Sequence, residues 1–388
     1  MNSDHTNSSI SFKNFFESEK SSGIVLIICT LVSLLIANSA FGTNYLGIWS
    51  SYLLGLSIEH WVNDGLMAIF FLLIGLELER ELYNGELSNF KNALLPVIAA
   101  IGGIVCPALF HFIFNANTST QAGIGIPMAT DIAFALGVLA LLGSRIPLSL
   151  KVFLAALAVI DDLGAIIVIA IFYTAKINLF YLVAAVLVFA ILILLNRAFR
   201  IMMLTPYLMG GALLWFCMLK SGIHATIAGV LLAFAIPFSA RADDEQSPSH
   251  RLEHVLHKPV AFLILPIFAL ANTGIIINSD WAQSLTSPNS LGIMLGLLIG
   301  KPLGIVIFCL IAVSLGVCKL PTGLNWKHIF GAGLLGGIGF TMSIFITNLA
   351  FAGNPDVITA SKIAIFLASL AAGMVGFFWL KYSNPKSI

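Results

Sequence analysis

Apolar positions run in stretches of about 18 to 25 residues, the length that crosses a hydrocarbon layer about 30 Å thick. Gly, Pro and charged residues separate the stretches along the whole 388-residue chain. The pattern predicts helices near 23–40, 60–83, 94–115, 121–143, 149–174, 178–199, 204–219, 222–237, 254–277, 290–314, 327–350 and 357–380. The fold class that follows is an all-α membrane protein of about twelve transmembrane helices. Residues 1–22 are mostly polar and read as a cytoplasmic tail. The first span is longer than the apolar core of a cleaved leader and lacks its small-residue exit, so it reads as retained. Residues 44–57 are less apolar and fit either a hairpin, with turns at Ser51-Tyr52 and Gly55, or an interfacial helix.

Composition agrees: 59% of residues are hydrophobic and 10% charged, against about 25% charged in soluble domains. A soluble globule cannot cover that much apolar surface. The net charge of +1 gives no footing for nucleic acid as a partner. The five cysteines show no CxxC spacing and read as reduced packing residues. With both ends inside, fifteen of the nineteen Lys and Arg residues fall on the cytoplasmic side; Lys176, Lys220 and Lys362 fall outside, and Lys301 falls within a span. That bias supports an even span count and this orientation.

Ionisable residues within a membrane span are functional by default, because charge at the bilayer centre costs at least about 2.5 kcal/mol. Four stand out: Asp131, Asp161, Asp162 and Lys301. Asp161 and Asp162 sit in LAALAVIDDLGAIIVIAIF, with apolar residues on both sides. Adjacent helical positions diverge by about 100°, so the pair would face different walls of one cavity. Such carboxylates bind a hard cation when ionised and hold protons when not. The bland alternative is an ion pair that fastens helices. Asp131 follows Gly123, Gly125 and Pro127, which predict a break in the fourth span. Gly331, Gly333, Gly336, Gly337 and Gly339 predict another in the eleventh, although close packing of small residues would also explain that stripe. Half-helices that end face to face need charge compensation, for which an anionic Asp131 suits N-termini and a cationic Lys301 suits C-termini. The two broken spans are the middle members of the third-to-fifth and tenth-to-twelfth groups. A seven-span offset would make those groups inverted repeats.

The strings ATDIAFALGVLALLGSR, VIDDLGAI, LKSGIHATIAGV, RLEHVLH, GLLIGKPLGI and GIGFTMSIF, in this order, resemble the NhaA sodium/proton antiporters of bacteria. The resemblance implies exchange of intracellular Na+ or Li+ for external H+ by alternating access, electrogenic and activated at alkaline pH. No cofactor is implied beyond the transported ions, and no enzymatic activity. Asp161 and Asp162 would hold the cation or protons, with Asp131 and Thr130 at the crossing of the unwound stretches that contain Gly337 and Gly339. Lys301 would be the counter-charge, and Asp64 would lie on the pathway. Glu77, Arg80, Glu81, His224, Glu253, His254 and His257 would sense pH. Residues 94–174 and 290–382 would form the ion-transport core, and 23–93 and 178–277 an interface domain for a homodimer. The setting would be the bacterial inner membrane and its lipid bilayer, with both termini cytoplasmic. The chain departs from the family pattern at His250, where lysine is common, and at Glu79, where a basic residue is common.

Spacing alone also groups the sensor residues. Glu77 and Glu81 are i,i+4 neighbours, as are Glu253 and His257, and His250, His254 and His257 share a face. Histidine titrates in the physiological range. The alternatives are a solvated charged loop for this cluster and a helix-packing role for His224. Three other function classes compete: a sodium-coupled symporter of small organic anions, a passive cation channel and an intramembrane aspartyl protease. The symporter would want more polar groups at mid-depth, the channel a continuous polar ring, and the protease an Asp where Phe340 stands.

Overall fold

Local punctuation sets where the helices begin and end. Ser247 and Ser287 each cap a helix that opens with proline, accepting from His250 N–H and Ser290 N–H respectively. Asn325 and His328 cap the helix Trp326–Gly336 reciprocally. Gly222, at φ 86°, closes Thr205–Ser221 in the left-handed conformation that favours glycine. The computed structural model describes residues 21–83, 85, 90–173, 177–239, 246–277, 279 and 281–383. Residues 1–20 and 240–245, the latter with Arg241, and Lys176 and Lys386 lie outside the described residues.

Among the described residues, eight helices are long and apolar enough to cross a membrane: Ile58–Tyr83, Ala93–Asn115, Gln121–Leu141, Leu148–Phe172, Leu179–Arg197, Pro248–Asn272, Pro288–Ser314 and Pro355–Ser383. Two bent pairs raise the number to ten. One is Ser21–Ala37 with Gly42–Ser50, at 114°, and the other Trp326–Gly336 with Phe340–Ala350, at 46°. The stretches expected at 204–219 and 222–237 form helices of 17 and 9 residues, Thr205–Ser221 and Ile227–Ala235. Among the described residues, the chain is an all-α membrane protein apart from one small hairpin.

That hairpin settles the reading of residues 44–57, where both alternatives occur in succession. Gly42–Ser50 is helical, and Tyr52–Leu53 then pairs antiparallel with Leu56–Ser57. The two-residue turn, Leu54 and Gly55, has φ of 53° and 85°, the positive pair that a tight hairpin requires.

Two of the long helices widen into a π turn just ahead of a proline. Val260–Ile264 precedes Leu265-Pro266, and Gly296–Gly300 precedes Lys301-Pro302. Proline has no N–H for the regular ladder, so the preceding carbonyls regroup in a wider turn. A third π turn, Trp61–Leu66, carries Asp64.

The chain divides into two compact units. The first comprises residues 1–32, 94–161 and 275–388, and the second 33–93 and 162–274; the boundary falls between Asp161 and Asp162, inside Leu148–Phe172. In the first, Gly102 and Gly304 let two helices touch backbone to backbone, because a Cβ on either would strike the other's carbonyl. In the second, Met67–Tyr83 and Ile227–Ala235 also pack closely: a Cβ on Gly229 would strike the Ala68 carbonyl, and one on Gly75 the Ala233 side chain. The core around them holds Leu72, Leu76, Tyr207, Leu232 and Ile236.

Candidate ion site

The fourth apolar stretch stays wound as a 3-10 helix through its glycines and proline, Gln121–Met128, and unwinds at Ala129, Thr130 and Asp131 before the α-helix Ile132–Leu141. The second break covers Gly337, Ile338 and Gly339, between Trp326–Gly336 and Phe340–Ala350. The two breaks bond to each other: Asp131 N–H donates to Ile338 O at 2.7 Å. Unwound backbone inside a membrane must find such partners within the protein. Gly337 is required by close approach, since a Cβ there would strike the Leu297 carbonyl.

Charge compensation follows helix polarity. Asp131 serves two N-termini. Its Oδ1 accepts from Phe134 N–H at 3.1 Å, and its Oδ2 from Thr341 N–H at 3.0 Å and from the Thr341 hydroxyl. The C-terminal ends meet donors instead. Lys301 Nζ donates to Met128 O, and the Thr130 hydroxyl lies 2.9 Å from Gly336 O.

Both donors also reach Asp161. Lys301 Nζ is 2.9 Å from Asp161 Oδ2, with both side chains 0% exposed, and Thr130 Oγ1 is 2.8 Å from the same oxygen. Asp161 Oδ1 accepts no hydrogen bond among the described residues, and it faces Gly103, where a Cβ would stand 3.7 Å away. Asp162, next on the helix, is also fully buried. Chemically, this is a desolvated carboxylate held by one cation and one hydroxyl, with a spare oxygen of the kind a hard cation prefers.

The second unit holds the other candidates in two separate groups. Asp64 lies 3.5 Å from His60 Nε2, and its backbone carbonyl accepts from Trp215 Nε1 at 2.9 Å. His224 belongs with this group: it neighbours Asp64, and its Nε2 contacts Tyr173 O at 2.8 Å. The other group centres on Glu253, 2.5 Å from Arg80 Nη1 and faced by Arg80, His250, His257 and Glu81. Arg80 is 3.9 Å from Glu81, and Glu77 is half-buried on the same helix. His254 points to the exposed side and is not among the charges that face Glu253.

Two participants, Thr341 and Ser343, are not among the residues singled out by the sequence. Thr341 completes the Asp131 cap, and Ser343 donates to Ile126 O at 2.7 Å across the crossing. Glu79 is buried, with Ser249 Oγ at 3.5 Å. Its burial had a signal: Leu72, Leu76 and Glu79 follow one helical stripe at i, i+4 and i+7.

A family model described as Na+/H+ antiporter 1 matches residues 13–380. A Na(+)/H(+) antiporter NhaA of Dechloromonas aromatica (strain RCB) is 70% identical over 377 residues, covering 97% of this chain and 97% of its own length. One from Cytophaga hutchinsonii is 62% identical over 377 residues, with 97% and 96% covered. One from Vibrio alginolyticus is 50% identical over 376 residues, with 96% and 98% covered. The symporter and protease readings gain nothing from these matches.

Proposed function

This chain belongs to the Na+/H+ antiporter 1 family, and from that premise we propose that it exchanges cytoplasmic Na+ or Li+ for external H+ at Asp161 and Asp162. The observation that carries the reading is the fully buried Asp161–Lys301 pair, seated where two broken helices cross. With no cation bound, the Lys301 ammonium satisfies Asp161. A sodium ion reaching the consecutive carboxylates competes with Lys301 for Asp161 Oδ2, uses the spare Oδ1, and takes its remaining oxygens from Asp162 and water. Protons arriving from the other side neutralise both carboxylates and release the cation. Two protons entering for one cation leaving makes the cycle electrogenic, driven by about 2.3 kcal/mol per charge per 100 mV.

On the same premise we propose a frame of twelve spans with the third-to-fifth and tenth-to-twelfth groups as inverted repeats, and both termini cytoplasmic in the bacterial inner membrane. Residues 94–174 and 290–382 are the moving core. Residues 23–93 and 178–277 are the interface domain, with the hairpin at 52–57 joining a homodimer. Asp64 lines the pathway, and the Arg80–Glu253 group adjusts activity to cytoplasmic pH.

Proton-gradient dequenching in everted vesicles tests the function, with sodium, lithium or potassium added across a pH series. Sodium and lithium should collapse the gradient and potassium should not. Asp162→Asn and Asp161→Asn should each abolish the response in protein that remains inserted and folded, because an amide neither balances the cation's charge nor releases a proton. Parental rates in either variant would remove the site assignment.

A further inference from the structure

A second buried polar network lies in the first unit, away from the acids and Lys301. His111, Asn115, Asn289 and Ser361 are all buried, and they come from three helices: Ala93–Asn115, Pro288–Leu295 and Pro355–Ser383. Its hydrogen bonds have a direction that can be read from one end. The Ser361 hydroxyl donates to Val357 O at 2.7 Å, so its oxygen must accept from the Asn289 amide, 2.8 Å away. That fixes Asn289 Nδ2 on Ser361 and leaves Asn289 Oδ1 as the acceptor for His111 Nε2 at 3.1 Å. His111 therefore carries its proton on Nε2, which leaves Nδ1 bare, buried and with no hydrogen-bond partner among the described residues.

The imidazole ring is held between two glycines. A Cβ at Gly123 would come within 2.9 Å of its Nε2, and one at Gly292 within 3.0 Å of its Cδ2. Asn115 closes the same corner. It donates to His111 O and Pro288 O, and it accepts from Thr120 just ahead of the 3-10 limb. The limb Gln121–Met128 is thus seated at its start against His111. At its far end it presents Ile126 O to Ser343 and Met128 O to Lys301.

We infer that His111 is a positioning residue for the ion site: neutral, with its proton on Nε2, it fixes the 3-10 limb whose last carbonyl anchors Lys301 beside Asp161. Loosening the limb moves the counter-charge against which a cation competes, so the effect appears in apparent sodium affinity. The inference rests on the antiport reading for its transport readout.

Sodium-dependent exchange by the full chain in proteoliposomes measures half-saturation and maximal rate separately. His111→Phe keeps a flat ring and removes the donor; half-saturating sodium should shift about five- to tenfold, as losing one buried hydrogen bond allows, with maximal rate per folded protein nearly constant. His111→Gln restores an N–H donor and should return half-saturation toward the parental value. Ser361→Ala never touches the ring but unlocks the Asn289 amide, and it should shift half-saturation the same way by about twofold or more. Hydrogen exchange over 121–128 should be faster in His111→Phe than in His111→Gln, a readout that stands even if the parental chain fails to transport. Equal behaviour of the Phe and Gln variants in both assays would overturn the proposal, as would a fall in maximal rate alone. Should His111→Phe not fold, an unshifted Ser361→Ala would overturn it.

Discussion

Removing Lys301 tests whether the buried pair is structural as well as functional. Lys301→Ala leaves the Asp161 carboxylate fully buried without its cation and takes a donor from Met128 O. Deleting one partner of a buried pair costs about 3–5 kcal/mol, most of it the penalty of the stranded charge. At about 2 °C per kcal/mol for a large chain, the Ala variant should melt about 6–10 °C below the parent in detergent. Lys301→Arg keeps the charge, but its planar fork must fit where a slender ammonium sat, so it should fall between the two. The sharper comparison is Lys301→Met combined with Asp161→Asn, which removes both charges. If the penalty is the stranded carboxylate, the double variant melts above Lys301→Ala, and the coupling shows in a double-mutant cycle. It would carry no transport, because Asp161 of the proposed site and its counter-charge are both gone. Equal melting temperatures for parent, Ala and Arg would refute the structural role. A double variant as unstable as Lys301→Ala would refute the stranded-charge account.

Thr341→Val removes a hydroxyl donor to Asp131 while leaving the backbone N–H in place; it should cost about 1–2 kcal/mol of stability, read as a lower melting temperature that Thr341→Ser largely restores. Glu253→Gln breaks the contact with Arg80, whose side chain is 41% exposed; the worth of such a screened pair, about 1 kcal/mol or less, limits the shift of the activation midpoint to about one pH unit, with maximal rate intact. If the proposed cluster shares its protons, His257→Ala should move the midpoint as well. If raising sodium at low pH restores full activity and neither variant moves the curve, pH dependence arises at the carboxylates alone.

The membrane class, eight to ten of the expected spans and the burial of Asp131, Asp161, Asp162 and Lys301 were legible because apolar length and the cost of buried charge are sequence properties. The breaks were legible in outline, although glycine alone misplaces them. Gly123 stays within a wound segment and serves the approach of His111 and Phe351, while Gly331 and Gly333 stay in a helix and accommodate Leu380 and Pro302. Glycine marks close approach as often as unwinding, and only a distant partner distinguishes the two. Here that partner is the Ile338 carbonyl, 207 positions beyond Asp131 in the chain. The π turns needed the same hindsight, since Pro266 and Pro302 fit a kink equally well. In the sensor group, periodicity set His250, His254 and His257 on one face. The structure turns the stripe through Glu253 inward instead, keeping His250 and His257 and sending His254 outward.

The compensation scheme carries a consequence for coupling. Each N-terminal end at the crossing relies on Asp131, and each C-terminal end relies on a group that also touches Asp161. Thr130 has a single hydroxyl proton, so it can donate to Gly336 O or to Asp161 Oδ2 but never to both. With Asp161 ionised, that proton is drawn toward the carboxylate and the bond to Gly336 O weakens. With Asp161 protonated, the acid can donate to Thr130 Oγ1, and the hydroxyl turns to Gly336 O. Lys301 behaves in parallel: a cation that displaces it from Asp161 leaves the ammonium held by Met128 O. Occupancy at Asp161 would therefore reset the hydrogen bonding at the Gly336 end, while the Met128 end keeps Lys301 and the N-terminal ends stay fixed on Asp131. Under the proposed exchange, cation or proton binding would reach the backbone of the second broken helix through Thr130, a differential contact of the kind needed if binding is to bias which way the crossing faces.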